Sequence, residues 1–556
     1  MSSTLIHGKD DGIYRSPRPP ISLPQDPNFS MIPFLFRKLS STSTSAALID
    51  SETAETLTFS DLKTHVLNLS RALINLNLSK NDVVFLLSPN SILFPVAFLA
   101  VIAAGAGATT ANPQYTTTEL SKQIKDSNPK LIITTHELHN KIKHVNLPCI
   151  ILDDINHTNH ILHNSNKSSS HSKKSELHLY SDLITSTTTS DWPLPRVAQT
   201  DVAAILYSSG TTGTSKGVVL THRNFMAAAM MTTSDQDSSG EGQNVFLCFT
   251  PMFHVMGLAA VVYAQLQRGN TVVVMPRYTV ETMLGAIERY GVTHLFVVPP
   301  VVIALAKQRE LVARFDVSSV REIGSGAAPL GKEVMEKCAT VFPLAVLFQG
   351  YGMTETCSSI SMEDTKAGSR HSGSTGLLNP GVEAKIVNIQ SMQPLPPLQT
   401  GEIWIRGPNV MEGYFKNQRA TMETLDDEKW LHTGDVGYFD EEGRLYVVDR
   451  IKELIKCKGF QVAPAELEEL LLAHTEIEDA AVIGLADDEA GEVPIAYVVR
   501  SSSSSITAQE IKHFIAKQVA PFKRLRTVIF TDAIPRSASG KILRRELRDN
   551  TVISKL

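Results

Sequence analysis

The sequence predicts an α/β protein with a large N-terminal domain, a β subdomain and a small α+β unit at the C-terminal end. Three observations carry that expectation. Apolar, β-branched runs recur with helix-periodic segments between them over most of the 556 residues, the alternation expected of largely parallel sheets. Past residue 401 the pattern changes to short β segments. After residue 450 a compact stretch of about 100 residues follows, the size of a small domain.

Taken in order, the strand-like runs lie at 83–87, 131–135, 150–152, 202–206, 245–249, 272–275, 295–298 and 345–348. Helical periodicity marks 118–127, 280–290 and 332–341. The run 92–108 is nearly membrane-like, but it contains Pro95, is dominated by small residues and falls short of a span. It reads as a helix buried against a sheet. Residues 164–175 are polar and of low complexity, the pattern of a surface insertion, and 501–505 is a shorter such run. The β segments at 401–406 and 444–448 form the subdomain. In the last unit, helix 464–472, strands 480–484 and 495–499, and helix 508–518 are expected. The boundary falls near Ile451, giving domains 1–450 and 451–556.

A hydrophobic fraction of 42% and a charged fraction of 20% are those of a globular protein. At this length more than one core is expected. The net charge of −5 speaks against a nucleic-acid partner. The five cysteines are scattered without a CxxC pair, which fits a reducing compartment and argues against a zinc site. No secretory signal opens the chain, and no transmembrane segment is expected. The final Ser554-Lys555-Leu556 reads as a peroxisomal address, hence an import receptor as partner, with the cytoplasm as the alternative location.

One stretch stands out chemically. Residues 207–218 read YSSGTTGTSKGV. Ser208, Ser209, Gly210, Thr211, Thr212, Gly213 and Thr214 give hydroxyl donors and exposed backbone N–H groups, and Lys216 adds a mobile positive charge. Such a loop wraps a polyphosphate. It is not the common phosphate loop, because Ser215 stands where that motif needs its second glycine and Gly217 stands where it needs a hydroxyl. The loop follows the strand at 202–206, where ligands of α/β sheets bind.

Further motifs follow: PMFH at 251–254, GSGAAPLG at 324–331, QGYGMTE at 349–355, LHTGD at 431–435, DRIKELIKCKGFQVAPAELE at 449–468 and PRSASGKILRREL at 535–547. Together, and in this order, they resemble the adenylate-forming (acyl-activating) superfamily. The likeness runs from about residue 57 to residue 547 and is strongest to plant 4-coumarate:CoA ligases and their 4-coumarate:CoA ligase-like relatives. The resemblance implies the ANL fold, with a mobile C-terminal domain. It also implies an ATP-dependent carboxylate:CoA ligase that forms an acyl-adenylate and then an acyl-CoA thioester.

What the resemblance implies for individual residues can be stated with its physics. The 208–217 loop holds the β- and γ-phosphates, and Mg²⁺ bridges phosphate oxygens with Glu355 and Thr211 at the metal. Thr354 contacts the α-phosphate. Gly326, Ala327, Ala328, Gln349, Gly350, Tyr351 and Gly352 surround the nucleoside, with Tyr351 as a stacking face. Asp435 suits two ribose hydroxyls, and Arg450 is its partner. Lys541 bridges the carboxylate and the α-phosphate.

For the second half-reaction the resemblance implies a rotation about Lys452. This exchanges Lys541 for the segment 456–460, with Lys458 and Gly459 along the CoA arm and Lys456 and Gln461 at the adenylate. His254 neighbours the acyl carboxylate. Met256, Gly324, Ala327, Gly350, Gly352, Ser358 and Ser359 are expected at the acyl pocket.

Ligases for 4-coumarate usually carry tyrosine at the position of Met256, a bulkier residue at that of Gly324, and glycine-proline-valine near Cys357-Ser358-Ser359. These changes predict a roomier pocket. The expected substrates are therefore a hydroxycinnamate-like or extended aromatic acid, a jasmonate precursor or a fatty acid. A luciferase-type oxygenase and an adenylating enzyme that does not use CoA are the alternatives. A monomer is expected.

Overall fold

A computed structural model describes residues 11–37, 44–152, 177–185, 195–208, 215–363, 371–487, 489–502, 504–538 and 540–553. The low-complexity run 164–175, most of the phosphate loop (209–214) and the terminal tripeptide lie outside these residues. Of residues 550–553 only the backbone is described.

Two large sheets build the N-terminal part. Among the described residues one has eight strands, in the order Gly413–Tyr414, Lys216–Thr221, Val202–Ser208, Gly107–Thr110, Val83–Leu87, Leu131–Thr134, Cys149–Ile151 and Leu177–Leu179. The other has nine, in the order Leu377–Leu378, Ser358–Met362, Val346–Met353, Glu322–Ser325, His294–Val297, Val245–Cys248, Thr271–Val274, Ala46–Asp50 and Thr56–Thr58. Their central pairs are parallel, which is why these strands read as unbroken apolar runs.

One apolar cluster draws on both sheets and on helices Phe59–Asn75, Leu93–Ala103 and His222–Ser238. The far face of the nine-stranded sheet packs on Val280–Tyr290, Pro299–Lys307 and Lys332–Val341. Thr117–Ser127 and His136–Ile142 cover the far face of the other sheet. Helix Leu93–Ala103 is apolar on every side and buried along nearly its whole length, so the membrane-like run is a core helix. No helix among the described residues is long and apolar enough to cross a membrane.

Local signals set several helix starts. Thr58 with Asp61, Thr116 with Glu119, and Thr507 with Glu510 form reciprocal capping boxes. The phosphate-loop region differs from its sequence reading. Strand Val202–Ser208 runs two residues further than expected, and Lys216 and Gly217 belong to a strand that returns antiparallel, with Lys216 opposite Ser208.

An antiparallel sheet holds Tyr14–Arg15, Glu383–Val387, Gly401–Arg406, Leu431–Phe439 and Leu445–Arg450. Beyond Arg450 a new sheet starts at Ile455–Cys457 with its own apolar cluster. In that unit Glu468 is buried and receives Arg544 through two bonds of 2.7 and 2.8 Å, and its Oε1 also accepts the Val482 N–H. Burial raises the Glu468 carboxyl and the Arg544 charge opposes that rise.

Removing one partner of such a pair strands a buried charge, at a cost of about 3–5 kcal/mol. Arg544→Ala is therefore expected to lower the urea midpoint of the transition that unfolds the C-terminal unit. Arg544→Met with Glu468→Met is expected to recover most of the loss. A single variant as stable as the parent contradicts this account.

Candidate active site

The site forms where strand ends of the nine-stranded sheet meet the antiparallel sheet and the C-terminal unit. Strand Val346–Met353 runs through the whole QGYGM segment, then a short 3-10 turn, Thr354–Thr356, reverses the chain into Ser358–Met362. The reversal is tight. A Cβ on Gly352 would fall 1.8 Å from the Ser358 carbonyl oxygen, so no side chain fits there. Cys357 and Ser358 take φ of 48° and 104°, strain that persists only where surrounding structure fixes the backbone. Ala327, in the turn after Glu322–Ser325, is likewise left-handed, with φ of 71°.

This turn seats Glu355, which is buried. Its Oε1 accepts hydrogen bonds from the Tyr414 hydroxyl at 3.0 Å and from Ser208 Oγ at 3.2 Å. Among the described residues Oε2 accepts none. A carboxylate oriented through one oxygen, with the other directed at no protein donor, fits a magnesium ion that takes one carboxylate plus phosphate oxygens and water. No cluster of three or more acidic, His or Cys ligands occurs among the described residues. Lys216 places its ammonium 4.7 Å from the Tyr414 ring centre. Tyr414 was absent from the sequence expectations. It lies 59 residues from Glu355, and only the pairing of Gly413–Tyr414 with Lys216–Thr221 brings it here.

A second group sits on the antiparallel sheet. Asp435 and Arg450 are register partners on adjacent strands, with Arg450 Nε 3.5 Å from Asp435 Oδ1. The Tyr351 hydroxyl donates to Asp435 Oδ2 at 2.7 Å. Tyr351, expected as a stacking ring, therefore also orients the carboxylate. Burial raises the Asp435 carboxyl above its usual range, while Arg450, Tyr351 and Lys541 pull it back. Upstream, Thr433 Oγ bonds the Ile403 carbonyl, and Glu402 Oε1 accepts the Gly434 N–H. These contacts fix the LHTGD turn.

Lys541 reaches this place from the C-terminal unit. It interacts electrostatically with Arg450, Asp435 and Glu355. Desolvation first, and then the Arg450 charge, lower its ammonium to about pKa 8 against the opposing pull of the two carboxylates. A Cβ on its neighbour Gly540 would lie 3.2 Å from Val298 Cγ2, so the lysine loop rests on the end of strand His294–Val297. His254 is lowered to about 4 by burial and by the Lys541 charge, so its imidazole is neutral at physiological pH.

Gln349 Oε1 accepts the Leu330 N–H at 2.8 Å. This clamps the turn that carries Gly326, Ala327 and Ala328 to the neighbouring strand. Gly326 faces the Gly350 carbonyl and the Met256 methyl, 3.5 and 3.8 Å from where its Cβ would be. Met256 begins a π-helix, Met256–Tyr263, a geometry frequent at functional sites. Ser358 is buried. The Ser359 hydroxyl accepts from Asn379 at 2.8 Å and donates to the Ser361 carbonyl. The reading that Gly324 enlarges the pocket fails at that position, because a Cβ there would meet the Phe348 ring at 2.7 Å and the Phe296 ring at 3.2 Å. The missing bulk is supplied by the next strand.

The expected CoA-side residues are elsewhere. Lys456, Lys458, Gly459 and Gln461 are exposed on the hairpin of Ile455–Cys457 and Phe460–Val462. Gly459 has φ of 81°, with open space around it. Lys452 is exposed in the turn between the two units. The structure thus has Lys541 in the cleft and the hairpin out. Ser209, Gly210, Thr211, Thr212, Gly213 and Thr214 lie outside the described residues.

Comparison with known proteins bears on the family and the fold. The AMP-binding enzyme family model matches residues 35–415, and the AMP-binding enzyme C-terminal domain model matches 466–541. The chain is 43% identical over 542 residues to peroxisomal OPC-8:0-CoA ligase 1 of Arabidopsis thaliana, covering 96% of this chain and 95% of that protein. It is 44% identical over 544 residues to 4-coumarate–CoA ligase-like 4 of Oryza sativa subsp. japonica, with 96% and 95% covered. Among solved structures, ATP-bound MatB from Rhodopseudomonas palustris superposes with a TM-score of 0.81 at 25% identity, covering 94% of this chain and 98% of that one. The chain therefore belongs to the AMP-binding enzyme family, as an AMP-forming acid–CoA ligase of the plant 4-coumarate:CoA ligase-like group.

Proposed function

We propose that this ligase activates a carboxylic acid with an apolar body, hydroxycinnamate-like, extended aromatic or of the oxylipin and fatty type, and that Lys541 serves only the first of its two half-reactions. The observation that carries this reading is the half-buried, desolvated Lys541 ammonium in the electrostatic field of Asp435, Glu355 and Arg450. In the first half-reaction a carboxylate oxygen bonds to the α-phosphorus of ATP and the bond to pyrophosphate breaks. The acid is already ionised, so no base is needed. The obstacle is the approach of two anions, and a desolvated cation at that point stabilises the charge that develops.

In the second half-reaction the CoA sulfur bonds to the acyl carbon, its proton is released, and AMP leaves. Tyr351, Asp435 and Arg450 are suited to hold the ribose throughout. Glu355, with one oxygen turned from its protein donors, is suited to the magnesium of the nucleotide, whose charge offsets the phosphates. Residues 451–556 rotate about Lys452, withdrawing Lys541 and admitting Lys456, Lys458, Gly459 and Gln461. The polar contacts between the units support such a motion. Lys307 Nζ bonds the Ile477 and Glu478 carbonyls, and the Lys332 N–H bonds Glu469. Inter-domain contacts of this kind permit rearrangement. A peroxisomal location is supported by the name of the Arabidopsis relative.

Lys541→Ala is expected to cut acid-dependent pyrophosphate release by about 10²–10³-fold. It should still convert supplied acyl-adenylate and CoA to thioester at near the parent rate. Equal loss of both steps in a folded variant overturns the assignment.

The lowered lysine also predicts a pH profile. The ammonium is present below its pKa, so kcat/KM for ATP in adenylation should hold up to neutral pH and fall as pH rises through about 8. In Lys541→Arg the alkaline fall should vanish from that range. A parent profile flat to pH 10 contradicts the role.

The class of acid is tested by a panel of hydroxycinnamic, extended aromatic, oxylipin and fatty acids with ATP and CoA, products read by mass. Thioester should form with at least one of these groups. Oxygen consumption, or adenylate without thioester, supports the alternatives instead.

A further inference from the structure

The row of residues beneath Lys541 carries information on acyl length, and it rests on the ligase reading above. Strands His294–Val297, Glu322–Ser325 and Val346–Met353 are parallel and in register, so Phe296, Gly324 and Phe348 stand side by side. Side chains alternate between faces. Leu295, Ile323 and Leu347 belong to the cluster on the outer face, while Phe296 and Phe348 belong to the cluster shared with the π-helix Met256–Tyr263. Two residues further along that inner face come Val298, Gly326 and Gly350. Val298 carries the Lys541 loop through Gly540, and Gly326 lies under Met256. Gly326 and Gly350 thus put no side chain of their own on the sheet at the level of Val298, where the Lys541 loop rests, and the Met256 methyl roofs this track as it runs back along the sheet. At a rise of about 3.3 Å per residue it extends roughly 7 Å before the next level. There Gly324 would continue it, but the Phe348 ring lies over Gly324, 2.7 and 2.9 Å from the place of a Cβ.

We infer that Phe348 is the floor of the acyl pocket and sets the length of acid accepted, so the preferred acids are of arylpropanoid length rather than long-chain. Gly324 leaves the space and Phe348 takes it up; Phe348 is only 4% exposed and Phe296 only 8%. Past the Met256 side chain over Gly326, the ring is the next bulky group that an acyl body directed down the track meets.

The test uses full-length parent, Phe348→Ala, Phe348→Leu and the refilled double variant Phe348→Ala with Gly324→Leu. The substrates are 3-phenylpropanoic, 5-phenylpentanoic and 8-phenyloctanoic acids, read as thioester formed. The parent should favour the shortest acid. Phe348→Ala should raise the kcat/KM ratio of the longest to the shortest acid by about tenfold or more, the effect of a pocket gaining several methylenes of depth. Phe348→Leu should shift it in the same direction by less, and the double variant should bring it back toward the parent. If the alanine variant does not fold, the leucine variant decides by the same sign. A parent that prefers the longest acid, or a ratio unmoved in a folded variant, overturns the inference and leaves the ligase reading intact. A parent that ligates none of these acids, nor any of the wider panel, fails the ligase reading itself.

Discussion

A single half-buried ammonium ties the two parts of the chain together. Lys541 loses solvation in the cleft, and an unpaired charge there would be costly. Asp435 and Glu355 compensate it, and Arg450 limits how well they do so. The result is a balanced cluster of two acids and two bases at the junction of three sheets. Such a cluster is responsive. A triphosphate brings more negative charge and favours the ammonium, whereas departure of pyrophosphate removes part of that reason to stay. Attractions between unit charges a few ångströms apart reach about 4 kcal/mol at the effective dielectric of a protein near its surface. That is enough to bias the position of a small unit also held by a few hydrogen bonds, among them the Ala465 N–H on Asp449, and by a small apolar cluster of Val436, Leu454 and Ala463.

Much of the scaffold was legible because its causes are local. Central parallel strands are buried on both faces, so they appear as apolar runs, and the run at 83–87 matches its strand end to end, as does the alternating antiparallel segment at 401–406. Helices Val280–Tyr290 and Lys332–Val341 also begin and end where their periodicity does. Glu355, Asp435 and Lys541 were legible through the resemblance of their motifs, since a lone acid or lysine in a turn is more often structural, and the structure brings the three charges within electrostatic reach of one another.

What escaped the sequence is what depends on a neighbour in space. Tyr414 sits in a stretch without any motif, and its bond to Glu355 exists only because a two-residue edge strand pairs with Lys216–Thr221. Lys216 and Gly217 looked like loop because glycine and hydroxyls precede them, yet the ladder to Tyr207 and Ser208 makes them strand. Tyr351 reads as an aromatic face until Asp435, 84 residues on, is seen to accept its hydroxyl proton. Gly324 is the clearest case. A glycine in one strand says that bulk is missing there, and only the adjacent strand says whether the space is empty. Composition along one strand cannot report a ring projecting from the next.

The same glycines serve two ends that a single side chain would set against each other. Gly326, Gly350 and Gly352 keep strand-end backbone bare, which suits a nucleotide and an acyl-phosphate that approach the main chain closely. At Gly352 the reversal also leaves no room for a Cβ. Bare backbone gives no selectivity, and discrimination is proposed to lie at residues set further back. Phe348 stands two residues behind Gly350 and Phe296 two behind Val298, on the same face and in the same sheet. Changing their bulk alters the depth of the track without moving the strand ends that carry Glu355 or support the Lys541 loop. A pocket arranged this way can vary its acid while its adenylation machinery stays fixed, because the two are separated by one repeat of the pleat.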